Sequence, residues 1–278
     1  MLTLPSSNDP KKQHPAFPRK IEFQLLGNLD VRLDNGDYLP ILRPKHRQLL
    51  ALLLLQANVV VPVDALIDRL WDGTPPASAF GNLKTYIWEL RRSMSPDVPA
   101  DSPIDTVSNG YRIRVEPDGL DITRFKRLAK EGHRALHQKE HETAWDHFER
   151  ALRTWRGRAL QDTRAIRTLR NAAAHLEEQR ISVVAELVEL LIARGEHAEA
   201  IEQLRSVMDL VEVEEPRERL WGQLMLALYL DGRQAEALST YQRLRRLLIN
   251  NVGVEPTNAI QELHQRILSA DFSLDVTC

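Results

Sequence analysis

The stretch Asn82–Arg92, NLKTYIWELRR, decides how the chain is read. Leu83, Ile87 and Leu90, followed by Met94, recur at helical spacing, so one face of a helix is buried. At about 100° per residue the opposite face carries Gly81, Thr85, Trp88 and Arg92, flanked by Asn82, Lys84 and Glu89. A Trp set among bases calls for a partner to cover it. Such a helix fits the major groove of duplex DNA. There Asn and Thr address base edges, Glu accepts from a cytosine amino group, and Arg and Lys bind phosphate or guanine. Gly81 permits close approach near the helix start. A solvated face, with its Trp folded onto a neighbouring domain, is the other reading open at this point.

Upstream of this helix, Ile21, Phe23 and Leu25 alternate, as do Val31 and Leu33, with Asn35-Gly36 as a turn before Tyr38 and Ile41. That pattern predicts short antiparallel strands. The alternation stops at Pro44. Residues 45–58, KHRQLLALLLLQAN, read as a leucine-dense, largely buried helix. Residues 63–71, VDALIDRLW, read as a second helix with Leu66, Leu70 and Trp71 on one side. DGTPPASA is a loop, because Gly73 and the Pro75-Pro76 pair cannot continue a helix. Downstream, IDTVSNGYRIRV predicts a hairpin with Asn109-Gly110 as the tight turn between Val107 and Tyr111. Residues 20–116 thus form one α+β unit of ordinary domain size.

After Pro117 the pattern changes to amphipathic helix, and it repeats. Residues 187–204 and 224–241 align at an offset of 37, with six of eighteen positions identical: Leu187/Leu224, Leu191/Leu228, Gly195/Gly232, Ala198/Ala235, Glu199/Glu236 and Ala200/Ala237. Each unit reads as helix, Gly turn, helix, near the ~34-residue period of tetratricopeptide repeats. A weaker copy lies at residues 136–152, LHQKEHETAWDHFERAL. Residues 117–278 therefore read as an all-α, tetratricopeptide-like module with a concave groove, built for binding or assembly.

The 278 residues are 43% hydrophobic, enough for two cores, and carry a formal charge of −2. Residues 1–19 lack the apolar core of a secretory signal and read as a mobile tail, and no run is long enough for a membrane span. With Cys278 as the sole cysteine, a disulfide scaffold is excluded and a reducing cytoplasm is expected. Within residues 20–116, eleven Lys and Arg face twelve Asp and Glu. Three segments nevertheless stand out as basic: Arg43, Lys45 and Arg47; Lys84, Arg91 and Arg92 with Glu89 among them; and Arg112 with Arg114. Brought together, they would lay a basic strip on an acidic body, the footprint of a DNA binder. Facing different ways, they would be ordinary solvated charges.

Catalytic signatures are sparse. No phosphate loop, dinucleotide fingerprint or nucleophile elbow is present. His137-Gln138-Lys139-Glu140-His141 matches the inverted zinc-protease pattern, which on an unbroken helix would set two imidazoles on a metal. In the repeat alignment this segment falls at the turn, so the helix is expected to break there. We therefore expect no enzyme, no metal and no cofactor.

Taken together, FQLLGNLDVRL, KHRQLLALLLLQANVVVPVDALIDRLWDGTPP, NLKTYIWELRR and TVSNGYRIRV in the first half resemble an OmpR-type winged helix. In the second half, GLDITRFKRL, RALRTWRGRAL, LEEQR, ERLWGQLMLALYLDGRQAEALSTYQRLR and GVEPTNAIQELHQRIL resemble a bacterial transcriptional activation domain. Over residues of about 20–270 the chain resembles the SARP family, actinobacterial activators of antibiotic-biosynthesis gene clusters. The resemblance implies that the opening helix is the recognition helix and the hairpin the wing. Positions matching Asn82, Thr85, Tyr86, Trp88, Glu89 and Arg91 would meet bases or phosphates. Thr106 and Tyr111, with Arg112 close by, would lie against the backbone and minor groove. The loop of Trp71, Asp72, Gly73, Thr74, Pro75 and Pro76 would face RNA polymerase. The family's partners are tandem direct repeats near the −35 element, bound by side-by-side protomers, and RNA polymerase with its sigma subunit. Trp88 is bulkier than the Arg or small polar residue usual at its position. The competing reading is a repeat scaffold for proteins or a small ligand, carrying an adaptor domain that does not bind DNA.

Overall fold

The computed structural model describes residues 21–33, 36–41, 43–95, 101–211 and 217–270. The expected turn at Asn35-Gly36 lies partly, and the amino-terminal tail wholly, outside them. The chain opens on an antiparallel pair, β1 (Ile21–Gln24) and β2 (Asp30–Leu33), with Phe23 opposite Val31. Three helices follow: α1 (Pro44–Leu54), α2 (Val63–Leu70) and α3 (Ala79–Met94). The leucine run buries all six residues from Leu49 to Leu54, so α1 is enclosed on every side. It packs on α2 and α3 and also on α6 (Arg167–Ala193) of the second half.

A three-stranded sheet completes this half, ordered β3 (Val61–Pro62), β5 (Gly110–Ile113), β4 (Ile104–Val107), all antiparallel. The sequence reading missed β3. It also placed the hairpin turn one residue late. Val107 pairs with Gly110, so the two-residue turn is Ser108-Asn109, with Ser108 at φ 51°. Gly110 serves a different purpose: a Cβ there would stand 2.5 Å from the Val61 carbonyl oxygen, so only glycine lets β3 approach β5.

The described elements of the second half are all helices: α4 (Asp121–His137), α5 (His141–Leu152), α6, α7 (His197–Val211), α8 (Glu218–Leu230), α9 (Gln234–Val252) and α10 (Asn258–Leu268). Neighbours pack as α4/α5, α6/α7 and α8/α9 hairpins. Lys139, Gly195 and Gly232 all take left-handed backbone at the hairpin corners, at φ 61°, 77° and 78°. At each corner the next residue's N–H donates to a carbonyl five residues back: Glu140 to Ala135, Glu196 to Leu191 and Arg233 to Leu228, at 2.8–2.9 Å. Five residues beyond each corner residue, Ala144, Ala200 and Ala237 are fully buried where the helices touch. The weak copy at 136–152 is therefore a structural copy. His137 ends one helix and His141 starts the next, so HQKEH does not form one metal-binding face. No described helix is long and apolar enough to cross a membrane.

The two halves share a dense polar seam. Phe23 bridges to Leu120 and donates to the Gly119 carbonyl at 2.7 Å, so the entry to α4 lies along β1. The turn between β1 and β2 is held by residues from the second half. Asp121 accepts from the N–H groups of Leu25 and Leu26, both at 2.8 Å. Arg156, Leu160 and Gln161 donate their N–H groups to the carbonyls of Leu26, Leu25 and Gly27. Asp162 accepts from the Leu29 N–H at 3.0 Å. A buried backbone turn must satisfy its polar groups, and this one does so through the far half of the chain.

Candidate nucleic-acid interface

Helix α3 seals Ala79, Leu83, Ile87, Leu90 and Met94 against the core. Its other face is open: Phe80, Gly81, Lys84, Thr85, Trp88 and Arg92 are exposed, and Asn82, Tyr86 and Glu89 are half-buried. The helix packs chiefly on α1 and α2, and the helices of the second half leave its outer face uncovered. Trp88 is thus not folded onto a neighbouring domain; 53% of it remains accessible.

The outer face is ordered from within. Tyr86 sits between His46, 4.7 Å away by ring centroids, and Trp71, stacked at 6.4 Å. Glu89 is flanked by two nitrogen groups, the Arg43 guanidinium with Nη1 at 2.7 Å and the His46 imidazole with Nε2 at 2.8 Å. The His46 contact is short but off the geometry of a hydrogen bond. Burial holds the His46 imidazole below its usual pKa, opposed by Glu89, which favours the neutral ring at pH 7. Both contacts use Glu89 Oε2, leaving Oε1 without a protein partner among the described residues. Lys84 lies over Phe80 and Arg92 over Trp88, and neither cation has an ion pair among the described residues.

Arg91 ties the helix to the hairpin. Its Nε donates to the Ile104 carbonyl at 2.9 Å and its Nη2 to Thr106 Oγ1 at 2.8 Å. Asp105 gathers Arg112 at 2.9 Å and Arg114 at 3.1 Å onto one oxygen. Arg91 thus joins the outer side of α3 to β4.

Residues 120–268 match the family described as bacterial transcriptional activator domain, and residues 40–113 match transcriptional regulatory protein, C terminal. The chain belongs to the SARP family. It is 39% identical to the regulatory protein DnrI of Streptomyces peucetius over 92% of this chain and 94% of that one. It is 36% identical to AfsR of Streptomyces coelicolor, over 95% of this chain but 26% of AfsR. The solved structure of Mycobacterium tuberculosis EmbR in complex with a low-affinity phosphopeptide is similar, with TM-score 0.77 at 32% identity, over 91% of this chain and 66% of that one. As a SARP protein, this chain is a DNA-binding transcriptional activator with an OmpR-type winged helix and a helical activation domain.

Several residues expected to meet DNA are engaged or buried within the protein. Arg47 points into the seam, paired with Asp162 and donating to the carbonyls of Leu29 and Ile41. Lys45 donates to the Leu70 carbonyl at 2.7 Å, closing the end of α2 while standing 5.5 Å from the centre of the Trp71 ring. Its amine is held below the usual lysine range by burial, against the pull of Asp72. Tyr111 is 7% exposed and packs under Arg91, so it supports the hairpin from inside. Of the expected basic strip, Arg43, Arg47, Arg112 and Arg114 meet carboxylates, Lys45 and Arg91 donate to neutral oxygens, and Lys84 and Arg92 have no ion pair among the described residues. Trp71 and Asp72 are half-buried, and Asp72 accepts the Arg167 N–H at 3.0 Å; Gly73, Thr74, Pro75 and Pro76 are exposed. The sequence reading also passed over Phe80 and His46. The four-residue step from Phe80 to Lys84 was the available signal for the first; nothing local marked the second.

Proposed function

We propose that this SARP protein inserts the outer face of α3 into the major groove, with Asn82, Lys84, Thr85, Trp88, Glu89 Oε1 and Arg92 toward the DNA. Arg43 and Thr106 flank that face. Tyr86, Arg91 and Arg112 hold its parts in place, and the tip of the β4–β5 hairpin lies along the backbone as the wing. The observation that carries this reading is one helix with a sealed aliphatic face and an open outer face, rimmed by two cations that have no ion pair among the described residues.

The functional units are residues 20–116 for DNA and 117–278 for activation. Family membership supports protomers side by side on direct repeats near a −35 element, controlling an antibiotic-biosynthesis cluster. The exposed segment Gly73–Pro76 supports a contact with RNA polymerase and its sigma subunit, because it lies at the edge of the winged helix and is braced by Asp72 on α6.

In vitro selection from a random duplex pool tests this reading and returns the repeat spacing. Lys84→Ala and Arg92→Ala should each lower affinity across sequences and reduce the log–log salt slope by about 1. Binding with wild-type affinity and slope in both variants would refute the assignment of this face.

A further inference from the structure

Phe80, Lys84, Trp88 and Arg92 stand one turn apart in a single row along the outer face of α3. All four are exposed, Phe80 at 51% and Trp88 at 53%. The row alternates ring and cation, and each cation covers the ring one turn before it. Lys84 Nζ is 4.3 Å from the Phe80 ring centre, and the Arg92 guanidinium is 5.4 Å from that of Trp88. The stacked cations steady both rings in an outward pose, which leaves apolar ring surface in water.

A phosphate contact explains the cations but not the rings. The major-groove floor supplies the matching apolar element, since thymine alone presents a 5-methyl group there, beside the acceptors of guanine and the phosphates that suit Lys and Arg. A protein partner would need carboxylates spaced between apolar knobs to satisfy the same row. We propose that Phe80 and Trp88 recognise thymine through its 5-methyl group, which makes this row a determinant of operator sequence as well as of affinity. Eight residues at 1.5 Å per residue set the two rings about 12 Å apart along the helix axis, so their thymines belong to different base pairs of one half-site.

The proposal rests on the DNA reading above, and the test separates the two. The full chain selects its operator from a random pool. That duplex is then resynthesised with each thymine in turn replaced by deoxyuridine, which removes one methyl group and keeps every hydrogen-bonding group. At one or two positions binding should weaken about fourfold, the worth of one buried methyl at about 0.8 kcal/mol. Trp88→Ala and Phe80→Ala should each bind the thymine duplex more weakly and erase the methyl effect at one position, leaving the other intact. Trp88→Tyr, which keeps a ring, should retain it, and circular dichroism confirms that the variants fold. Equal binding of every deoxyuridine duplex overturns the proposal while DNA binding stands. So does a Trp88→Ala chain that still discriminates thymine from deoxyuridine at every position. A wild-type chain that selects no DNA overturns both readings.

Discussion

Arg47 leaves α1 to meet Asp162 in the loop between α5 and α6, and the same carboxylate takes the Leu29 N–H. One contact thus joins the winged helix, its leading hairpin and the activation domain. Arg47→Ala should lower stability by about 1–3 kcal/mol, because partly buried carbonyls and a carboxylate lose their donor. Denaturant unfolding measures the loss. The salt slope of DNA binding should stay at its wild-type value, in contrast to Lys84→Ala. A stable Arg47→Ala protein with a reduced slope would instead place Arg47 on DNA.

Gly110→Ala probes the packing of β3 against β5. The new methyl would meet the Val61 backbone at 2.5 Å, and backbone cannot swing aside as a side chain can. We expect destabilisation of about 1–3 kcal/mol and an opened hairpin edge, seen as faster amide exchange at Val61 and Tyr111. Wild-type exchange at those amides would show that the sheet adjusts without cost.

Asp121 gives the seam a pH dependence. Burial pushes its carboxyl up to about 6, against the hydrogen bonds from Leu26, Leu25 and Ile122 and the charge of Arg156. A raised acid pKa means the folded state holds the proton more tightly than the unfolded chain. Its stabilising effect is complete below about 4 and is lost as pH rises through about 6. Relative to Asp121→Asn, the wild type should therefore lose up to roughly 3 kcal/mol between pH 4 and 7. Paired denaturation series across that range isolate this slope from the surface carboxylates, whose effects cancel in the difference. Parallel curves would show that Asp121 titrates normally.

Lys139 occupies a corner that its structural counterparts fill with glycine. A left-handed φ of 61° carries a steric cost for any residue with a Cβ. Lys139→Gly should raise stability by about 1 kcal/mol, read as a higher thermal midpoint, because the relief of strain exceeds the entropy that glycine adds to the unfolded chain. A lower midpoint would mean that the entropy dominates.

Local periodicity was enough to find the architecture. Alternation at Ile21, Phe23 and Leu25, helical spacing at Leu83, Ile87 and Leu90, and the 37-residue echo of Gly195 in Gly232 are properties of neighbours, and neighbours are what a sequence displays. They delivered the strands, three helices and hairpin of the first half and the helical hairpins of the second; the winged-helix assignment came from the resemblance to the SARP family, and the openness of the α3 face from the fold. Ser108-Asn109 replaced Asn109-Gly110 as the turn because Gly110 answers to Val61, 49 positions earlier, and not to its own hairpin.

Which cations remain available to a partner was decided only in three dimensions. Arg43, Lys45 and Arg47 look as free in sequence as Lys84 and Arg92. Glu89 claims the first from 46 positions away, the end of α2 claims the second, and Asp162 claims the third from 115 positions away. Pairing of charge depends on through-space distance, and a pattern of residue types along the chain carries no record of which distant carboxylate or carbonyl the fold brings near.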